Sequence, residues 1–304
     1  MRHQTSSTAT AAFQTSTKTT GYASNVANMP KAYLSWKTAL SPMTRKIWTM
    51  QNFGTMKAGT RTTRMQLLTT SNPKIQKGVK RGYFTTIQHF APSRLSGTNV
   101  CPDATPECIR FCLNKAGRGG IFKAGEKTNV IQEARKRRTR FFNNDIVGYH
   151  SKLLKEITAH VKRADRLGLK PCVRLNGTSD LSWEDGFAPL FWRFEDVQFY
   201  DYTKSFDRMM RFLKGPWPTK NYHLTFSRSE LNDAECNKVL DAGGSVAVVF
   251  ESVPHVFRGR AVHDGDTDDL RFLDPPGSWV GLKAKGKLAR ELSPFKITTY
   301  GGWK

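Results

Sequence analysis

No aspartate or glutamate occurs before Asp103 in this chain of 304 residues. Residues 1–80 hold twelve Lys and Arg and no acid, a local charge of +12 out of the formal +23. Cysteine is scarce as well. Five thiols, an odd number, exclude a disulfide scaffold and point to free thiols or metal ligands. No apolar run approaches the roughly 18 residues that span a bilayer. No apolar stretch of the kind that marks a secretory signal lies near Met1, so a cytosolic setting is expected. No nuclease, kinase or Ser/His/Asp pattern appears, and the seven histidines are scattered.

What is present divides the chain. The stretch 1–80 is rich in Ser and Thr, with short apolar islands at Tyr33–Trp36 and Ile47–Met50 and no sustained period. It reads as a mostly disordered basic arm. Nucleic-acid contact through phosphates, a solubilising tail and an organellar transit peptide all fit its composition. From Arg81 onward, apolar runs are punctuated by Gly, Pro, Asn and Asp, and 81–304 reads as one folded domain. A chain with 38% hydrophobic and 11% aromatic residues is not wholly disordered.

Within 81–304, Tyr83–Phe90, Cys172–Leu175, Val197–Tyr200, Tyr222–Phe226, Ser245–Phe250 and Trp279–Leu282 have strand composition. Helical spacing runs from about Asn129 to Leu167, with Leu154, Ile157, Val161 and Ala164 on one face and Gly168 as a stop. Phe187–Phe194, Phe206–Leu213 and Leu231–Ala242 are shorter helices between strands. This alternation predicts an α/β fold with parallel strands, an open or partial (β/α) barrel.

Ligands in parallel α/β folds sit at the carboxyl ends of the strands. There the sequence places Asn176, Thr178, Ser179, Asp180 and Glu184, then Asp201 and Lys204, then Ser227, Ser229 and Glu230, then Glu251. Asp180, Asp201, Lys204 and Glu230 are candidate catalytic residues, and Asn176, Thr178, Ser179 and Ser227 candidate cofactor contacts. Helix N-capping by Asp180 or Ser229, and a surface Asp201–Lys204 pair, are the plain structural alternatives.

The sharpest feature is Cys101-x6-Cys108-x3-Cys112, three thiols within twelve residues after the first strand of the domain. Such a cluster suits zinc or an iron–sulfur centre, with His89 and His223 as candidate fourth ligands. Cys172 and Cys236 fall in a strand and a helix, as small core residues do. Two weaker motifs complete the set. Asp264–Asp269 begins like a calcium loop but lacks the required Gly and Glu, which excludes an EF-hand. Gly117–Gly120 could approach a phosphate without being a P-loop. The basic run Arg135, Lys136, Arg137 and Arg138, with Lys283 and Lys285, is a candidate phosphate-contacting surface. Four consecutive side chains cannot all share one helix face.

The cysteine loop after the first strand resembles radical S-adenosylmethionine enzymes over about 81–285. That likeness implies a partial barrel, a [4Fe–4S] cluster on the three cysteines, and S-adenosylmethionine held against the polar strand ends. The spacing here differs from the family's x3/x2, and no Gly-Gly-Glu signature is present. The runs GTNVCPDATPECIRFCLNKAGRG, RLNGTSDLSWE, VQFYDYTK, NYHLTFSRSE and DLRFLDPPGSWVGLKAKGK also resemble the phage "gene product 88" family over about 80–290. This second likeness implies a viral protein acting in the cytoplasm of an infected bacterial host, and no particular reaction. Three readings follow. One is a radical S-adenosylmethionine-like enzyme acting on nucleic acid or nucleotides. Another is a non-catalytic nucleic-acid-binding protein with structural zinc. The third is a Mg²⁺-dependent nuclease built on Asp180, Glu184 and Asp201.

Overall fold

The structure is a computed structural model that describes residues 65–122, 124–215 and 217–298. It opens with a short strand β1 (Leu68–Thr69), helix α1 (Pro73–Gln76), a 3-10 turn at Lys77–Arg81 and strand β2 (Tyr83–Gln88). The cysteine segment carries helix α2 (Pro106–Arg110), and α3 (Val130–Asn144) and α4 (Ile146–Arg166) follow. Strands and helices then alternate: β3 (Lys170–Arg174), α5 (Trp183–Arg193), β4 (Gln198–Thr203), α6 (Phe206–Lys214), β5 (Tyr222–Ser227), α7 (Asp233–Asp241) and β6 (Val246–Phe250). The chain finishes through β7 (Val256–Phe257), β8 (Arg260–Asp264), β9 (Trp279–Lys283), α8 (Lys287–Arg290) and β10 (Lys296–Ile297).

Among the described residues these strands form one sheet in the order β1-β2-β3-β4-β5-β6-β9-β8-β7, with β10 added to β6. The run β2 to β6, then β9 and β8, is parallel throughout. The edges β1 and β7 pair antiparallel with β2 and β8. Neighbours in the sheet are therefore mostly neighbours in sequence, as the alternation predicted, and their carboxyl ends share one side. Closure into a barrel is not observed: the sheet ends on β1 and β7, which pair only inward, and it stays open. β10 lies alongside β6 where β5 has already ended. Val246 and Ala247 pair with β5, whereas Val249 and Phe250 pair with Lys296 and Ile297 in that order. This splay brings the segment before β10 across the carboxyl ends of the strands.

The side-chain alternation of a strand separates the two faces. Phe199 on β4 meets Phe191 of α5 edge-on at 4.8 Å, while its neighbour Tyr200 meets Phe272 at 5.3 Å on the opposite face. The helix-side core is aromatic and fully buried, with Phe90, Tyr149, Trp183, Phe191 and Phe226 among its members. Cys172 and Cys236 are free and buried in the core, as their positions predicted.

Two expectations are revised. The single helix 129–167 is two helices, because Asp145 leaves the helical region (φ −144, ψ 74) and its side chain accepts from the Gly148 N–H at 2.8 Å, capping α4. The basic arm of 1–80 also ends earlier than its charge suggested. Residues 1–64 lie outside the described residues, but 65–81 belong to the folded domain. Glu156 on α4 accepts the Leu67 and Leu68 N–H groups at 2.9 Å each. Lys74 and Arg81 pair with Asp269 and Asp268 at 3.4 and 2.7 Å. The acids that neutralise this segment come from far along the chain, which local composition cannot reveal.

Candidate active site at the carboxyl ends of the strands

Beyond β2 the chain turns over α3, where the Ala91 N–H donates to Thr139 Oγ1 at 2.9 Å. The Asn99 side chain accepts the Cys101 N–H at 3.0 Å. Cys101 Sγ then accepts from the Ser93 N–H at 3.4 Å and faces the Thr178 carbonyl oxygen at 3.7 Å. Thr105 caps α2 by accepting the Cys108 N–H at 3.3 Å. The Thr105 hydroxyl donates in turn to Glu230 at 2.8 Å, and Glu230 also accepts the Glu107 N–H at 3.2 Å. Glu230, at the end of β5, is thus the anchor of the cysteine helix. A second anchor is the segment before β10: Ser293 donates to Glu107, and Arg110 pairs with Glu291 at 3.0 Å.

All three thiols are partly buried, and none is in a disulfide. Burial pushes Cys101 up to about 12, reinforced by the fields of Cys112, Asp180 and Cys108 and opposed by the Ser93 N–H. Burial also raises Cys108 and Cys112, and the ammonium of Lys204 pulls both back. The thiols therefore lie in one another's electrostatic field, and without a bound cation they are protonated at neutral pH. A soft cation would supply the missing charge and deprotonate them. Their donor chemistry fits a thiolate metal or cluster site. Among the described residues, however, no group of three or more His, Cys, Asp and Glu side chains is already drawn to metal-holding distance.

The other strand-end residues divide into a rim and a support. Asp180 faces the rim, where its carboxylate accepts the Lys204 N–H at 2.7 Å and Arg208 Nη1 at 3.1 Å. The Lys204 ammonium lies over the Phe295 ring at 5.3 Å. Ser227 is half-buried, and its carbonyl accepts from Asn232 at 3.1 Å. Ser229 accepts only a long 3.4 Å bond from the Leu231 N–H, and Asn232 precedes α7.

Asn176 and Ser179 build the turn instead. Asn176 Oδ1 accepts from the Ser179 hydroxyl, the Leu181 N–H and the Trp183 indole at 2.8, 3.1 and 3.2 Å. Thr178 donates its hydroxyl to the Phe90 carbonyl at 2.6 Å. Asp201 is fully buried and accepts from the Asn176 N–H and the Tyr222 hydroxyl at 2.8 and 2.9 Å. Burial pushes its carboxyl up to about 6, against the pull of Arg174 and these two bonds. Glu184 is also fully buried and takes both its oxygens to Arg208 at 2.7 Å. Asp201, Glu184, Tyr222 and Arg208 form an ionic floor beneath the rim. With these carboxylates so engaged, Asp180, Glu184 and Asp201 make no obvious Mg²⁺ cradle.

No group that joins either candidate histidine to two of the thiols at metal-holding distance occurs among the described residues. His223 is the second residue of β5 and meets Phe212 edge-on at 5.3 Å. His89 lies in the fields of Arg135, Arg174 and Arg138, and burial with those fields pushes it down to about 3. The basic run is split as helix geometry requires. Arg135 is buried, Arg138 donates to the Gln66 carbonyl at 2.7 Å, Lys136 pairs with Glu133 at 2.9 Å, and Arg137 is exposed. Lys283 and Lys285 are exposed, and Lys285 pairs with Asp266 at 2.6 Å. The loop Asp264–Asp269 faces these bases and not solvent alone. Gly117–Gly120 forms a 3-10 turn pressed on its own neighbours, since a Cβ on Gly119 would lie 2.6 Å from the Asn114 carbonyl oxygen.

Sequence reasoning missed Arg174, Arg208 and Phe295. An arginine inside the apolar run Cys172–Leu175 is itself a signal, because a buried guanidinium requires a partner. Phe295 carried none.

The sequence model of the family described as Gene product 88 matches residues 63–295, well over half of the chain, and the chain therefore belongs to that family, as a phage protein. No curated protein and no solved structure matches it. No helix among the described residues is long and apolar enough to cross a membrane.

Proposed function

We propose that this gene product 88 chain is a metal-dependent enzyme of the radical S-adenosylmethionine kind, acting on nucleic acid or nucleotides in the host cytoplasm. One observation carries the reading. The loop bearing Cys101, Cys108 and Cys112 leaves the first of a series of in-order parallel strands, and its thiols share one electrostatic field at their carboxyl ends. When bound, a [4Fe–4S] cluster would supply the electron that cleaves S-adenosylmethionine. The chain's own groups hold and orient. Glu230 and Thr105 fix the cysteine helix, Thr178 and Ser93 fix Cys101, and Asp180 sets the backbone of Lys204. Lys204 then presents a cation to Cys108 and Cys112, which favours their thiolates. The net charge of +23 supports a polyanionic substrate.

The test is iron, sulfide and zinc analysis with an absorption spectrum on protein purified without oxygen. About four iron and four sulfide per chain, with a broad band near ~400 nm lost in Cys108→Ser, is the expected result. One zinc per chain without colour would replace this reading with the second, a nucleic-acid-binding protein with a structural zinc site.

A further inference from the structure

Five arginines of the described chain are buried: Arg135, Arg174, Arg208, Arg228 and Arg271. Four of them are matched by carboxylates. Arg174 pairs with Asp269 at 2.7 Å, Arg208 with Glu184 at 2.7 Å, Arg228 with Asp233 at 2.7 Å and Arg271 with Asp274 at 3.1 Å. Arg135 is the exception among the described residues. Its partners are the carbonyl and side-chain oxygens of Asn114, at 3.3 and 2.6 Å, and its Nε is buried with none. A buried guanidinium without a counter-charge is costly, and an anion relieves that cost.

The surroundings reinforce the imbalance. Arg138, one turn along α3, bonds the Gln66 carbonyl and forms no ion pair among the described residues, although it lies in the field of Glu156. His89 lies in the field of both arginines and of Arg174. The position follows from a hydrogen bond between the end of β2 and α3. His89 directly follows β2, and two residues on the Ala91 N–H donates to Thr139 Oγ1 at 2.9 Å, which brings His89 beside the turn of α3 that carries Arg135 and Arg138. His89 and Arg138 remain half-buried. This positive corner lies next to the cysteines, since Arg135 acts on Cys112.

We propose that Arg135, Arg138 and His89 form a receptor for one phosphate group at the carboxyl end of β2. Attribution of that phosphate to a nucleotide or nucleic-acid substrate rests on the function proposed above; the receptor itself does not. Guanidinium groups suit tetrahedral oxyanions through paired N–H donors, and a neutral imidazole adds one more donor or acceptor.

The experiment titrates the full chain with inorganic phosphate, following the His89 imidazole resonances and the melting temperature. Acetate and a nucleoside 5′-monophosphate serve as parallel arms. Saturable movement of the His89 signal with phosphate is expected, with at least tenfold weaker binding in Arg135→Gln and unchanged binding in Lys214→Gln. No saturable response in the wild-type chain overturns the proposal, and so does an undiminished response in Arg135→Gln. If that variant fails to fold, Arg138→Gln takes its place under the same criterion. Stronger binding of acetate than phosphate also overturns it, in favour of a carboxylate ligand. Equal loss of binding in Lys214→Gln, an exposed lysine far along the chain, overturns it in favour of unspecific attraction to the basic surface. Metal content is not read in any arm, so failure here leaves the proposed metal centre standing, and loss of that centre leaves the phosphate result intact.

Discussion

Arg174 on β3 donates to Asp269 at 2.7 Å, and both side chains are buried. Asp269 is also held by Lys74 of α1 at 3.4 Å, so one carboxylate joins the sheet, the loop before β9 and the basic segment before β2. Burial raises the Asp269 carboxyl, but Arg174 and Lys74 outweigh it and hold it below the usual range. Asp269→Asn would leave Arg174 buried and short of charge. The expected loss is about 3–5 kcal/mol, read by urea denaturation. A loss below about 1 kcal/mol, the level of an exposed pair, would show that the pair is not structural.

Asp201 gives a pH dependence of the opposite sign. Its folded carboxyl is pushed up to about 6 from the usual 3.8, so the folded chain binds this proton more tightly than the unfolded chain. The resulting stabilisation is full below the unfolded value and is lost as pH rises through about 6. Its size is on the order of 3 kcal/mol. Asp201→Asn should flatten the fall in stability across that window. Denaturation curves at several pH values would show it, and an unchanged slope in the variant would assign the titration elsewhere.

Gly177 is required by close approach of two backbones. A Cβ there would lie 2.3 Å from the Gln88 carbonyl oxygen and 2.9 Å from the Ile87 side chain. Gly177→Ala must spread the ends of β2 and β3, at a cost of about 1–3 kcal/mol. The same shift would move Thr178 away from Cys101. Reduced stability together with reduced metal content is expected, and a variant equal to wild type in both would contradict the geometry.

Glu230 should affect the site more than the fold. Its carboxylate holds Thr105 and the Glu107 N–H, which set the helix that carries Cys108. Glu230→Ala is expected to lower stability by about 1–2 kcal/mol, as loss of a helix cap does. Metal content and hydrogen exchange across 101–112 should change much more. Unaltered exchange there would show that the cysteine helix is held by other contacts.

The sequence by itself determined the alternation of β2 to β6 and β9 with the larger helices, because those elements are written in local periodicity and turn residues; the short α2, β7 and β8 and the break at Asp145 were not legible. It also placed Cys101, Cys108 and Cys112 at a strand's carboxyl end, and it placed Cys172 and Cys236 in the core. Only the tertiary structure decided which polar residues face the rim. Asp180 lies in the loop after β3 and meets the Lys204 N–H, whereas β4 runs on to Thr203, so Asp201 sits within that strand and is sealed under Tyr222. Only the fold could show that Lys74 and Arg81 are neutralised by Asp269 and Asp268, almost two hundred residues away. Partnership between charges is a distance in space, and local composition measures distance along the chain.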